Sequence, residues 1–171
     1  MTKIITFLTM FLFLWTGNIY SQDNQLTAKE KKEGWVLLFN GKNLDGWTSV
    51  GKDAPPAFGW VVENGILNVR KQGDKRGGDI ITRDQYSDFD LKVDFRITKG
   101  ANSGIKYFFT KYEKGGWLGL EYQIMDDENH PDGKLGRDGN RLGGGLYDMF
   151  PTSAKKVNPI GEWNQARIVA K

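Results

Sequence analysis

The chain reads as an all-β protein of two antiparallel sheets packed face to face. Three observations predict it. Short segments alternate apolar and polar residues, 22 glycines and 22 aromatic residues (six Trp, six Tyr, ten Phe) provide turns and core, and no long stretch repeats every 3.6 residues. About nine such strands in one domain suggest a sandwich.

Residues 1–21 read as a secretory signal. Lys3 gives a short basic start, Ile4 to Trp15 an apolar core, and Asn18-Ile-Tyr-Ser21 a small-ending cleavage region. A dozen apolar residues fall short of the ~20 that span a bilayer, and no later segment approaches that length. Export to a periplasmic or extracellular location follows, with no membrane span. The 171-residue chain contains no cysteine, so neither disulfides nor an acylated cysteine anchor enter the reading. Without the signal, 150 residues remain, with 23 basic and 21 acidic side chains interspersed, enough for one domain and no reason to expect nucleic acid. Residues 22–33 form a polar leader whose Lys29, Lys31 and Lys32 read as a solvated linker.

The elements of the domain, 34–171, follow in order. A strand is expected at 35–39. Trp60-Val-Val-Glu63 and Ile66-Leu-Asn-Val69 flank Asn64-Gly65, the dipeptide that a type I′ hairpin turn requires. Another strand is expected at 79–82. In 89–97 every odd position is apolar and every even one charged, so one face is buried and the other wet. Strands at 103–110, 118–125, 144–150 and 165–170 complete the set. The last stops without a turn or polar tail, so it is either an edge or lacks its hairpin mate, and a sandwich incomplete at its C-terminus is expected.

Function is expected around 118–132. Leu118, Leu120, Tyr122 and Ile124 alternate with Gly119, Glu121, Gln123 and Met125, which places Glu121 and Gln123 together on an outward face. Asp126 ends the strand, and His130, the only histidine of the chain, rides on the loop that follows. Two carboxylates, an amide and an imidazole within ten residues suit proton transfer, although such a strand face is as often mere solvated surface. The glycines of the loop between Asp126 and Leu146 do not follow a strand and open a helix, so no phosphate-binding loop is supported. No cofactor is expected. Asp126, Asp127, Glu128, Asp132 and Asp138 could ligate calcium or another divalent metal, but not with the spacing of a helix-flanked calcium loop.

Several segments together resemble the 3-keto-disaccharide hydrolase domain family, common in secreted proteins of Bacteroidetes. They are Gly34-Trp-Val-Leu-Leu-Phe-Asn-Gly-Lys-Asn-Leu-Asp-Gly-Trp47, Asn64-Gly65, Phe89-Asp-Leu-Lys-Val-Asp-Phe-Arg96, Asn102-Ser-Gly-Ile-Lys-Tyr107, Leu120-Glu-Tyr-Gln-Ile-Met-Asp126 with His130-Pro131, Leu146-Tyr-Asp148 and Gly161-Glu-Trp-Asn164. The resemblance implies a concanavalin- or laminarinase-like jelly-roll sandwich and hydrolysis of glycosides oxidised to a ketone at C3. Family members usually follow Gly-Glu-Trp-Asn with a further strand and an Asn-Gly turn, absent here.

Retaining glycosidases need two carboxyl groups about 5 to 5.5 Å apart. Laminarinase-like enzymes carry them at alternate positions of one strand, but the partner of Glu121 at 123 is Gln. A 3-keto sugar removes that need, since the ketone acidifies the C2 proton and the C1 oxygen can leave by elimination, with hydration to follow. On this reading Glu121, Asp126 and His130 share the proton transfers, in roles left open, and Lys106 faces the enolate. Asn102, Ser103, Tyr107, Gln123 and Tyr147 are the substrate-binding candidates. The implied partners are an oligosaccharide or glycoside substrate and an oxidoreductase that makes the 3-keto sugar. The alternatives are a non-catalytic, lectin-like carbohydrate-binding module and a conventional glucanase-like glycosidase.

Overall fold

The computed structural model describes residues 24–113, 115–153 and 157–171. The signal read at 1–21 lies outside the described residues. The chain divides after Gln85 into two compact units. In the first, the leader carries a short helix, α1 (Ala28–Lys32), started by a reciprocal capping box between Thr27 and Glu30. β1 (Trp47–Ser49) pairs antiparallel with β4 (Ile80–Thr82), and β2 (Trp60–Glu63) with β3 (Ile66–Val69). Asn64 and Gly65 join the latter pair with φ of 52° and 76°, as a type I′ turn demands. The strand expected at 35–39 is irregular. Among the described residues its apolar run has no ladder partner: the Trp47 indole donates to the Leu38 carbonyl at 2.6 Å, and Val36 and Leu37 are exposed. Among the described residues no helix is long and apolar enough to cross a membrane.

The second unit, Tyr86–Lys171, is built from two antiparallel ribbons. β5 (Phe89–Arg96) pairs with β8 (Trp163–Ala170), from Phe89 opposite Ala170 to Arg96 opposite Trp163. Strand β6 (Asn102–Lys111) pairs with β7 (Trp117–Met125), in register from Asn102 opposite Met125 to Tyr107 opposite Leu120, with an irregularity beyond Tyr107. Period-two alternation gives each ribbon an apolar face. Phe95, Ile97 and Ala166 of one side and Ile124 of the other form the buried cluster, with Ile105 and Tyr122 packed on it. The Phe95 and Tyr122 rings meet edge to face at 6.5 Å, and Phe89 and Tyr107 at 6.1 Å. Each such large apolar side chain, fully buried, contributes about 1.5–3 kcal/mol. On the outer face of the first ribbon Arg167 makes a bidentate pair with Asp90, and Gln165 donates to Asp94.

The opposite face of β7 departs from expectation. Gln123 and Met125, read as outward-facing, are 1% and 0% exposed. Segment 126–150 folds back along them and along the β7 edge not paired to β6. The Gln123 N–H donates to Gly145, Gly144 donates back to Gln123, and the Tyr147 N–H donates to the Glu121 carbonyl. Gly133 lies against the Met125 methyl, where any Cβ would stand 3.2 Å from it. The strand expected at 144–150 reduces to two bridges, Tyr122 to Leu146 and Leu146 to Phe150. Its chain turns back at once: Leu146 and Phe150 exchange both backbone hydrogen bonds, and Asp148 takes φ 59° in between. Eight strands therefore form among the described residues, not nine.

Candidate active site

Residues directly opposite in an antiparallel pair share a face. The register sets Asn102, Gly104 and Lys106 against Met125, Gln123 and Glu121 on the face that segment 126–150 borders. Ser103, Ile105 and Tyr107 stand against Ile124, Tyr122 and Leu120 on the core side. Four of the nine expected site residues, Asn102, Lys106, Glu121 and Gln123, thus come together. Ser103 and Tyr107 do not join them; the Tyr107 ring packs on Phe89 and Phe108.

Glu121 stands across from Lys106, and its side chain lies back over Gly104. A Cβ at 104 would sit 2.1 Å from Glu121 Oε1 and 2.7 Å from its Cγ. A residue without a side chain leaves that space, and φ at Gly104 is not in the left-handed region, so glycine there supplies room for the Glu121 side chain and not a special backbone conformation. The carboxylate is thereby carried toward Asn102, two residues and roughly 7 Å of strand away from Gly104.

His130 closes that end. It caps the 3₁₀ helix Pro131–Lys134, its Nδ1 accepting the Asp132 backbone N–H at 3.2 Å. The Asn102 amide nitrogen lies 3.4 Å from the same Nδ1, and Asn102 Oδ1 accepts from Gln123 Nε2 at 3.5 Å. Gln123 leans on the Met125 sulfur at 3.7 Å, and its own Oε1 is buried without a partner among the described residues. Gln123, Asn102 and His130 form one chain of polar contacts.

Asp126 has a different task. Only 3% exposed, it accepts the backbone N–H groups of Gly100, Glu128 and Asn129 and the Asn129 side-chain amide. The Gly100 N–H, assisted by Asn129 and Glu128, holds its carboxyl below the usual range against the opposing effect of burial. Both oxygens are engaged in pinning the loop to the turn before β6.

Tyr147 donates its hydroxyl to Asp132 Oδ2 at 2.9 Å; removal from water, then the Asp132 hydrogen bond, raise its pKa. Arg141 reaches Asp132 Oδ1 at 3.0 Å, grips Asp148 with Nε and a terminal nitrogen, and lies over the Tyr147 ring at 5.3 Å. Hydrogen bonds to Asp148 first and Asp132 second raise its pKa further. Neither Arg141 nor the tie it makes to Asp132 was legible in sequence, where nothing distinguishes Arg141 from Arg137, an exposed residue four positions earlier.

The loop acids proposed as metal ligands are dispersed. Asp127 Oδ1 accepts the Gly143 N–H at 2.7 Å, Asp132 holds Arg141 and Tyr147, and Asp138 sits exposed beside Arg137. Among the described residues no group of three or more His, Cys, Asp or Glu gathers as a metal site. What remains is a half-buried carboxylate and an ammonium opposite it on one strand face, with an imidazole beyond them on the loop that borders it. A base with a cation on one side and a hydrogen-bond donor on the other suits proton abstraction beside a carbonyl.

The model of the 3-keto-alpha-glucoside-1,2-lyase-like domain matches residues 34–171. A 3-keto-disaccharide hydrolase of Bacteroides thetaiotaomicron is 38% identical over 153 residues, covering 80% of this chain and 52% of that protein. The chain therefore spans about half the length of this curated relative. A crystal structure of a candidate glycosyl hydrolase from Parabacteroides distasonis superposes with a TM-score of 0.71 at 33% identity, covering 88% of this chain and 70% of that one. A second from the same organism gives 0.53 at 26% identity, covering 78% and 51%.

Proposed function

From the chain's membership of the 3-keto-alpha-glucoside-1,2-lyase-like domain family, which its residues 34–171 establish, we propose that it is an exported hydrolase of 3-keto-glycosides that works by elimination and hydration. The observation that carries this reading is the Glu121 carboxylate laid over Gly104, opposite Lys106, with an amide and not a second carboxylate at position 123. One carboxylate cannot run a two-carboxylate displacement at C1. It can remove a proton made acidic by a neighbouring ketone.

In this mechanism Glu121 takes the C2 proton, and the C–H electron pair becomes the C2–C3 enolate. Lys106 and the His130 end of the site face the developing charge on the C3 oxygen. Collapse of the enolate restores the ketone, forms the C1–C2 double bond and breaks the C1–O bond. The leaving alcohol takes a proton. Water then adds at C1 and a proton returns to C2, so the net reaction is hydrolysis. An oxidoreductase that oxidises C3 must supply the substrate, and the signal read at 1–21 would send the enzyme to the compartment where such sugars arise. The name of the Bacteroides relative supports the same substrate class.

The test offers the protein an oxidised and an unoxidised disaccharide of one linkage in deuterated water. Cleavage of the 3-keto sugar alone, with deuterium at C2 of the product beyond the rate without protein, is expected. Cleavage of the unoxidised sugar would favour a glucanase, and cleavage of neither a binding module.

A further inference from the structure

We propose that His130 works as a neutral hydrogen-bond donor through Nε2, polarising the substrate's carbonyl oxygen, and does not exchange a proton. This rests on the functional reading above and narrows it. The carrying observation is the ring's other nitrogen. Nδ1 faces two N–H groups, the Asp132 backbone at 3.2 Å and the Asn102 amide at 3.4 Å. An amide side chain can be turned over, but a backbone N–H can only donate. Nδ1 must therefore offer a lone pair, and the single proton of the neutral ring resides on Nε2.

That tautomer decides the chemistry. An imidazole acting as a base at Nε2 begins with its proton on Nδ1, and one acting as an acid at Nε2 ends with it there. Both leave an N–H pointing at the Asp132 N–H. Donation of a hydrogen bond from Nε2–H needs no proton on Nδ1, and a neutral imidazole held in this way is an established means of polarising a carbonyl in enediolate chemistry. Glu121, over Gly104, lies two residues along β6 from Asn102, so a pyranose between them would offer its C2 hydrogen to one group and its C3 oxygen to the other.

The residues around Asp132 hold its N–H in place. Pro131 precedes it, the turn closes through Gly133 N–H to His130 and Leu135 N–H to Asp132, and the Asp132 carboxylate is gripped by Arg141 and Tyr147. Arg141 and Asp132 are thus positioning residues that act through the histidine. The His130 N–H in turn donates to the Asp126 carbonyl at 3.0 Å, tying the ring's own backbone to the pinned end of the loop.

With one histidine in the chain, the ¹⁵N signals of a labelled imidazole belong to His130 without assignment. In the unsubstituted protein at alkaline pH, a protonated Nε2 and an unprotonated Nδ1 are expected. A protonated Nδ1, or an equal mixture, overturns the proposal. Turnover gives the second readout. His130→Gln, whose amide donates but cannot titrate, should keep a kcat about ten times that of His130→Ala. Equal loss in both variants also overturns it. If the unsubstituted protein cleaves no 3-keto sugar, the functional reading fails and this role with it. An active protein with a protonated Nδ1 fails the present proposal alone.

Discussion

Adding one methyl group at Gly104 tests whether the placement of Glu121 matters. In Gly104→Ala the new Cβ would stand 2.1 Å from Glu121 Oε1, whereas ordinary contact begins at 3.4 Å, so the carboxylate must move by about 1.3 Å. What it meets is the length of one side chain, from Oε1 back to Cγ at 2.7 Å, with no backbone atom among its three nearest neighbours, and the backbone at 104 lies outside the left-handed region, so a rotation of Glu121 can absorb the change. Exchanging a strand glycine for alanine even removes about 0.5–1 kcal/mol of chain-entropy penalty. The rate has no such relief. A misplacement of about 1 Å lowers turnover on the order of 10²-fold, equivalent to about 2.7 kcal/mol of barrier. Turnover of a 3-keto disaccharide and the urea midpoint should be measured on the same preparation. The expected pair is a hundredfold loss in kcat with an unchanged or raised midpoint. Full turnover would show that the carboxylate's seat over Gly104 is immaterial, and a fallen midpoint would trace the loss to the fold.

Three further outcomes follow from other contacts. Glu121→Gln should abolish turnover while leaving the melting temperature nearly unchanged, and a variant with most of its rate would remove Glu121 from the chemistry. Asp126→Asn should unfold at a lower temperature near neutral pH. Because the folded carboxyl titrates below its unfolded value, its stabilisation is present above about pH 3.9 and fades as pH falls through the folded value; a gap between the two proteins that widens with acid would contradict this. Gly65→Ala forces an L-residue to φ +76° and should lower the urea-derived stability by about 1–2 kcal/mol; no change would mean the hairpin turn had relaxed.

What the sequence disclosed depended on the distance over which each signal acts. The Asn64-Gly65 turn and the strict alternation of 89–96 are local, because few residue pairs accept two positive φ angles and one strand face needs no distant partner to be recognised. The outer face of β7 misled for the opposite reason. Gln123 sits at a polar position of an alternating strand, and only the return of a segment some twenty residues later buries it. The apolar run 35–39 looked like a strand because pattern cannot tell a ladder partner from an indole that takes one carbonyl. Parity alone could have separated Ser103 and Tyr107 from Asn102 and Lys106, since odd and even positions of one strand cannot share a face. Arg141 and Asp132 meet only through the path of the loop, which no spacing encodes.

The loop bordering the candidate site is joined to β7 by main-chain bonds between residues 121 and 123 of the strand and residues 144, 145 and 147 of the loop. Bonds between backbones do not read side chains. The loop's composition can therefore drift, by substitution at exposed positions such as Met149 and Phe150, without unseating it from the strand that carries Glu121. A scaffold of this kind permits divergence in what the site accepts while the carboxylate stays where it is, and loops exchanged between relatives should transplant with their seat intact wherever a partner for the Gln123 backbone survives.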